Sequence, residues 1–577
     1  MRARPFLLSK YNDMNRTFTL LSLFLISLLT SASTVDVETA RKVAEKAVGK
    51  PCLEKKVTLR RASTAQGKLP SYYLFTGNDG YGFALVSSME EDAPLLGYSA
   101  ETAISATENM PDALKAYLDT YSKYMEACSN GSAVPRHQEL PSLSMRRAAD
   151  AAPLCKSSWG QGDPYNRLCP QIDGKRTIVG CVATAIAQIM NYWQWPVKGS
   201  GYGNGTDTNG EVIHGTLEHT YNWAAMKNTT AENIASDEAA AAVSQLSYDC
   251  GLAVGMKYGT GGSSAGTPMK AMYENFGYIP TTLRTQMRDC FNSDAEYLSV
   301  IADEIDAGRP VYQAATSQAG SGADAEGHAY VIDGYSSNGM VHVNWGWNGD
   351  FNGYFDLSKM NPSGYSFTIN QRIMTGLMPA KNGETGLPVE FPYSAEGPTT
   401  DQKIGTTINS SVSFDVTLGS IYNFGSRTHK WTVTIGLYDT KNNFLKDLKT
   451  SKMPITVELE SSYYIKAGSV KIPCKITGNY ASGDYALRVC FKENNGDWIL
   501  PDMAGGQKNN AIYVKIEGSN ITFTDGSDYI VAGINSTYIH SDASPRYFDL
   551  QGREVPFTTK GLLIRKQGDT VSKVIIK

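Results

Sequence analysis

Apolar and polar positions divide the chain into blocks of different period. VETARKVAEKAV (37–48) places apolar residues every three to four positions and reads as a helix. YYLFTGNDGYGFALVSS (72–88) reads as two strands around a Gly/Asn/Asp turn. MPDALKAYLDTYSKYMEAC (110–128) returns to the helical period, with proline in its first turn. Residues 129–150 lose all periodicity. They are rich in Ser, Pro and Ala, carry the basic pair Arg146–Arg147, and read as an exposed, nickable linker. Within 151–380 the helical stretches come first (181–193, 231–250, 267–276, 295–307). Strands follow in PVYQAAT, HAYVIDGYSS, MVHVNWGW and GYFDLS. A helical half followed by a strand-rich half predicts an α+β domain. From 385 to 517 the runs alternate at regular spacing (SVSFDVTL, KWTVTIGLYD, ITVELESSYYI, YALRVCFKEN, AIYVKIEG), the pattern of a β-sandwich. Further short strands occupy 518–577.

Composition narrows the function classes. The 577 residues are 41% hydrophobic and 19% charged, enough apolar material for several cores. A net charge of −4 provides no basic field, so nucleic acid is not an expected partner. Residues 1–33 end in a basic residue, an apolar run from Phe18 to Leu29 and small residues, the layout of a secretory signal peptide. No other segment is apolar enough to span a bilayer, so the expectation is an exported protein with no transmembrane segment after signal removal. Nine cysteines are thinly spread, and no CxxC or Cys/His cluster has metal-ligand spacing; neither metal nor cofactor is expected. Cys474 and Cys490 both fall in the sandwich, and the pattern leaves open whether they pair.

One thiol stands apart. In VGCVATAIAQIMNYWQW, Cys181 follows a glycine and opens a helix, where unpaired N–H groups and the helix dipole stabilise a thiolate. Ala183, Ile186, Ala187, Met190 and Trp193 form one apolar face, leaving the Cys181 end to face a cleft. Core thiol, half-cystine and nucleophile all remain open on this pattern alone. A nucleophile needs a base, and His328, in AEGHAYVIDGY, stands between a Gly-rich loop and an apolar strand. A short antiparallel return would bring Asn344, Trp345 and Trp347 near its imidazole, the amide to hold the tautomer and an indole to exclude water. Asp333, five residues on, alternates to the opposite face and reads as structural. The other histidines (137, 214, 219, 342, 429, 540) read as ordinary polar residues.

The segments WGQGDPYNRLCP, GCVATAIAQIMNYWQWP, YGTGGSSAG, ENFGY, GHAYVIDGY and HVNWGWNGDFNGYFDL, in this order, resemble the streptopain family of secreted bacterial cysteine proteases, with its interpain branch. GFALVSSMEEDAPLLGYSAE resembles that family's inhibitory prodomain. The resemblance implies a papain-like catalytic domain at 148–380 and a prodomain with linker at 34–147. It implies Cys181 as nucleophile, His328 as base, Trp345 and Trp347 beside them, and Ser264 and Gly327 lining the substrate groove. Gln161 matches the glutamine that donates to the oxyanion, although it lies twenty residues before Cys181. At six residues before, the papain-like position, this chain has Lys175. Protein and peptide substrates are implied, with an apolar side chain two residues before the cut, and the chain's own prodomain as intramolecular inhibitor. The C-terminal stretch resembles the sorting segments of type IX-exported proteins, implying a secreted or cell-surface location. Two rivals share these features: a catalytically silent adhesin, and another thiol acyltransferase such as a transglutaminase or cell-wall amidase.

Overall fold

The computed structural model describes residues 35–55, 70–89, 95–104, 110–129, 149–226, 236–260, 268–317, 327–357, 368–494, 496–527 and 529, and four strands within 546–576. The expected signal segment, the Arg146–Arg147 pair, His137, His540 and Ser264 lie outside these residues. Among the described residues no helix is long and apolar enough to cross a membrane.

Helix α1 (Val37–Val48) begins behind Asp36, whose carboxylate accepts the Thr39 N–H at 2.8 Å, and ends at Gly49, where φ is +78°. Strands β1 (Cys52–Lys55), β2 (Tyr72–Gly77), β3 (Tyr81–Ser87) and β4 (Leu95–Ala103) follow as an antiparallel meander. Tyr73 and Phe75 turn to Ala40, Ala44 and Val48 of α1, while Tyr72 and Leu74 turn to the other face. Burial on both faces explains the unbroken apolar run at 72–75. Helix α2 (Asp112–Ser129) covers that second face through Leu114, Tyr117, Leu118 and Tyr121.

The central region contributes α3 (Cys181–Trp193), α4 (Asp237–Ala253), β5 (Arg284–Met287), α5 (Asp294–Asp306), β6 (Val311–Ser317), β7 (Gly327–Tyr335), β8 (Val341–Asn344), β9 (Gly353–Phe355) and β10 (Thr368–Thr375). Sequence reading started the second of these helices at 231. It begins at Asp237, because the Ser236 hydroxyl caps it by accepting the Ala239 N–H at 3.1 Å. The strand expected over 340–347 stops at Asn344, where the chain turns through Gly346 (φ +70°) and Asn348 (φ +56°).

All ten strands form one sheet in the order β1-β2-β3-β4-β9-β8-β7-β6-β10-β5. The N-terminal unit is therefore an extension of the central sheet, joined where Tyr98 pairs with Tyr354 and Gly97 with Phe355. Around the joint, the Asp356 N–H donates to the Leu96 carbonyl at 3.1 Å and the Thr102 hydroxyl to the Asn352 carbonyl at 2.7 Å. One face of the sheet carries a core shared by α2, α5, Tyr330, Ile332, Val343, Trp345 and Phe355. The other face carries α3 and α4 over Tyr312, Ala314, Ala329 and Val331.

The joint allows no side chain at Gly97: a Cβ there would stand 2.4 Å from the Phe355 ring. Gly97→Val is predicted to open it. Amide exchange across 95–98 and 353–355 should rise by at least about tenfold, while the distant sandwich strands keep their protection. Unchanged exchange at 353–355 would mean that the pairing does not hold the two units together.

The C-terminal region is a sandwich. Strands Ser411–Thr417 and Lys471–Thr477 alternate exposed and buried positions, directing Phe414, Val416, Ile472 and Ile476 onto Trp431, Val433, Leu487 and Val514 of the facing sheet. The sandwich continues beyond 517, since Ile512–Glu517 forms a hairpin with Asn520–Thr524. Cys474 and Cys490 are both free. The sandwich docks on β5 and the turn after it. Arg284 pairs with Asp502 at 2.9 Å and lies 4.2 Å over the Phe391 ring, and the Tyr393 hydroxyl donates to Asp289 at 2.6 Å. The two edges of the central sheet are thus covered by different units, β9 by the N-terminal one and β5 by the sandwich.

Candidate active site

Helix α3 is buried from Val182 through Asn191; its first residue, Cys181, is half-buried, as are Tyr192 and Trp193 at its other end. Gly180, at φ +94°, turns the chain into the helix with no capping side chain, and its carbonyl accepts the Thr184 N–H and hydroxyl at 3.0 and 3.1 Å. The unpaired N–H groups of the first turn therefore lie at the Cys181 end of the helix. None of the nine cysteines is in a disulfide, and the other eight are buried. Burial pushes the thiols of Cys169, Cys474 and Cys490 up to about 12, and those of Cys155, Cys250 and Cys290 well above the ordinary range. Cys181 is therefore outside any disulfide and only partly buried where it packs against the core. The phenol of Tyr312 is raised first by burial and further by the charge of Cys181, which places the two side chains near each other.

Gln161 is brought to the start of this helix. Its backbone carbonyl accepts the N–H of Val179, two residues before Cys181, at 3.0 Å. Among the described residues its side-chain amide has no hydrogen-bond partner, so its N–H groups are available to a ligand. The preceding residues are clamped. The Trp159 carbonyl accepts the Asn348 N–H at 3.1 Å, and Gly160 is flush against Asn348, where a Cβ would meet Oδ1 at 2.1 Å.

Asn344 faces the same side of the sheet. Its Nδ2 donates to the Ser157 carbonyl at 2.8 Å and to Gln188 Oε1 at 3.0 Å, and its Oδ1 accepts from Gln188 Nε2 and the Gly346 N–H, both at 3.2 Å. These bonds occupy the amide, and His328 is not among its partners. The residue thereby ties the end of β8 to α3.

His328 begins β7, paired with Ala315, and is half-buried. Gln188 meets Asn344, which pairs with Val331. From that level, seven residues of helix back to Cys181 climb about 10 Å, and three residues of strand back to His328 climb about 10 Å. Both residues therefore reach the same end of the sheet. Alternation along β7 assigns His328 to the face of Tyr330 and Ile332, whose core α2 and α5 share, while Ala329 and Val331 face α3.

Trp345 is fully enclosed. Its indole N–H donates to the Phe351 carbonyl at 3.1 Å, and its ring packs on Tyr330 and Phe355. It packs in the core on the Tyr330 face of the sheet. Trp347 is half-buried in the turn beyond it, and Gly327 is exposed at the rim beside His328. Asp333 is fully buried and accepts the Cys155 N–H at 3.0 Å, with His342 Nδ1 at 2.6 Å from its other oxygen, a structural pair as expected. His219 and His429 likewise pair with the carboxylates of Asp249 and Glu390. Among the described residues no His, Cys, Asp and Glu cluster fits a metal ion.

Comparison with known proteins bears on this geometry. Residues 159–355 match the Peptidase C10 family, and residues 32–125 match the Spi protease inhibitor family. Streptopain of Streptococcus pyogenes is 31% identical over 315 residues, which cover 50% of this chain and 75% of that protein. The chain belongs to the C10 family of cysteine-type peptidases. The thiol protease/hemagglutinin PrtT of Porphyromonas gingivalis is 28% identical over 456 residues; the match takes in 74% of this chain and about half, 49%, of that relative. A solved fragment of Prevotella intermedia prointerpain A is 32% identical, covering 56% of this chain and 99% of the fragment, with a TM-score of 0.47.

The C10 match spans Gln161, Cys181, His328 and Asn344 and ends at β9, the strand to which the inhibitor-like unit is joined. Sequence reading missed Gln188 and Ser157, which organise the site from behind. The available signal was a lone glutamine on the buried stretch of α3, where an amide requires polar partners.

Proposed function

We propose that this chain is the zymogen of an exported cysteine endopeptidase, with Cys181 as nucleophile. The observation that carries the proposal is the single half-buried cysteine, outside any disulfide, at the N-terminus of a buried helix beside the Gln161 backbone. The thiolate attacks the scissile carbonyl carbon. The Cys181 N–H and the Gln161 amide receive the oxyanion, and the imidazolium of His328 protonates the leaving amine as the C–N bond breaks. Water then hydrolyses the thioester, with His328 taking its proton. Residues 34–147 act as the inhibitor. They complete the sheet and cover the face to which His328 alternates, so the Cys–His pair forms when they leave. Ser264 and Gly327 line the groove with Trp347, and the side chain two residues before the cut is apolar. The sandwich remains docked through Arg284 and Asp502, and the last strands direct the protein to the cell surface or beyond it.

The test is to remove residues 34–147 and then treat with an epoxide thiol reagent. A Cys181 adduct that forms together with loss of casein cleavage is the expected result. Absence of that adduct would favour a silent adhesin, and amine-linked conjugates or wall fragments in place of cleaved peptide would identify an acyltransferase.

A further inference from the structure

Gln188 is fully buried on α3, two turns beyond Cys181. Its Oε1 accepts the Trp159 N–H at 3.0 Å and Asn344 Nδ2 at 3.0 Å, and its Nε2 donates to Asn344 Oδ1 at 3.2 Å. The orientation of both amides is dictated by the backbone. The N–H groups of Trp159 and Gly346 can only donate, so Gln188 must present its oxygen to the first and Asn344 its oxygen to the second. The result is a reciprocal amide pair enclosed in protein.

This pair joins three pieces that sequence alone keeps apart: the helix that begins with Cys181, the 157–161 segment that ends at Gln161, and the turn after β8. Along that segment Ser157 is held by Asn344, Trp159 by Gln188 and Asn348, and Gln161 by Val179. Gln188 is the one side chain that reaches both the segment and the turn from the nucleophile's own helix. We propose that Gln188 is a positioning residue that sets the Gln161 amide against the Cys181 N–H, and so fixes the geometry of the oxyanion site. The inference rests on the reading of Cys181 as nucleophile.

Loss of the strut moves Gln161 and leaves the sulfur in place, since Cys181 keeps its own helix turn and the Thr184–Gly180 bonds. In the mature protein Gln188→Ala is expected to lower kcat by about 100-fold, with KM and the rate of Cys181 alkylation by iodoacetamide each within about threefold of wild type. Gln188→Glu provides a pH readout. A protonated glutamic acid can donate to Asn344 Oδ1 as the amide did, whereas the carboxylate repels it. The kcat of Gln188→Glu relative to wild type should therefore rise by at least about tenfold from pH 8 to pH 6. If Gln188→Ala fails to fold, the pH ratio of Gln188→Glu decides. A flat ratio overturns the proposal, as does an unchanged kcat in Gln188→Ala or a fall in alkylation equal to the fall in kcat. Failure of the nucleophile reading is distinguishable, because Cys181→Ala would then still cleave peptide.

Discussion

Cys181→Ala, purified as the full chain, is expected to keep its N-terminal unit and to cleave casein about 10⁴- to 10⁶-fold more slowly than the mature wild type. The size follows from chemistry. Without the sulfur no thioester forms, and what remains is the binding groove and the oxyanion donors acting on water. Stability should change little, because the thiol is unbridged and half-buried at the rim of its core, unlike the eight buried cysteines. The expected shift in unfolding free energy is within about 1 kcal/mol. Electrophoresis follows retention of residues 34–147, casein digestion follows activity, and denaturant unfolding separates loss of chemistry from loss of fold. A Cys181→Ala protein that matures and digests casein at the wild-type rate would remove Cys181 from the mechanism.

The second large effect concerns His328. His328→Ala in the mature protein is expected to lower kcat by about 10³- to 10⁴-fold, because the leaving amine then departs without a proton donor. The same substitution removes the cation that holds the thiolate. Alkylation of Cys181 at pH 6 should therefore slow by at least about tenfold, with a smaller difference at pH 9, where any exposed thiol ionises. The fold makes a related demand on the wild type. Alternation along β7 assigns His328 to the face whose core α2 and α5 share, while Cys181 heads a helix on the other face. Alkylation at pH 6 should accordingly accelerate once residues 34–147 are removed. Equal rates before and after removal, together with full activity of His328→Ala, would exclude this imidazole as the base.

Much of the site was legible because its signals are local. The helix start behind Gly180 and the strand after His328 are each set by neighbours within a few positions, and both form as read, while the helix is buried on every side from Val182 to Asn191 where one apolar face was read. The errors fall where a distant contact decides. Asn344 ends β8 and Trp345 follows it, and the two side chains pack on opposite sides of the sheet. One is claimed by Gln188 and Ser157, and the other by Tyr330 and Phe355. The Gln161 problem resolves in the opposite direction, since twenty residues of separation close into one backbone bond to Val179.

By itself the sequence determined the type of each major element, the helical start of the Cys181 segment, the sandwich at the C-terminal side and the family. Period, turn residues and ordered motifs are properties of adjacent positions, and they survive without knowledge of the fold. Only the tertiary structure decided that the N-terminal unit and the central domain share one ten-stranded sheet. It alone showed that Gln188 binds both the Trp159 N–H and Asn344. Those facts depend on strand register and on which buried amide finds which partner. Both are settled by the requirement that polar groups removed from water be paired, and residues hundreds of positions apart must be assembled before it can be met.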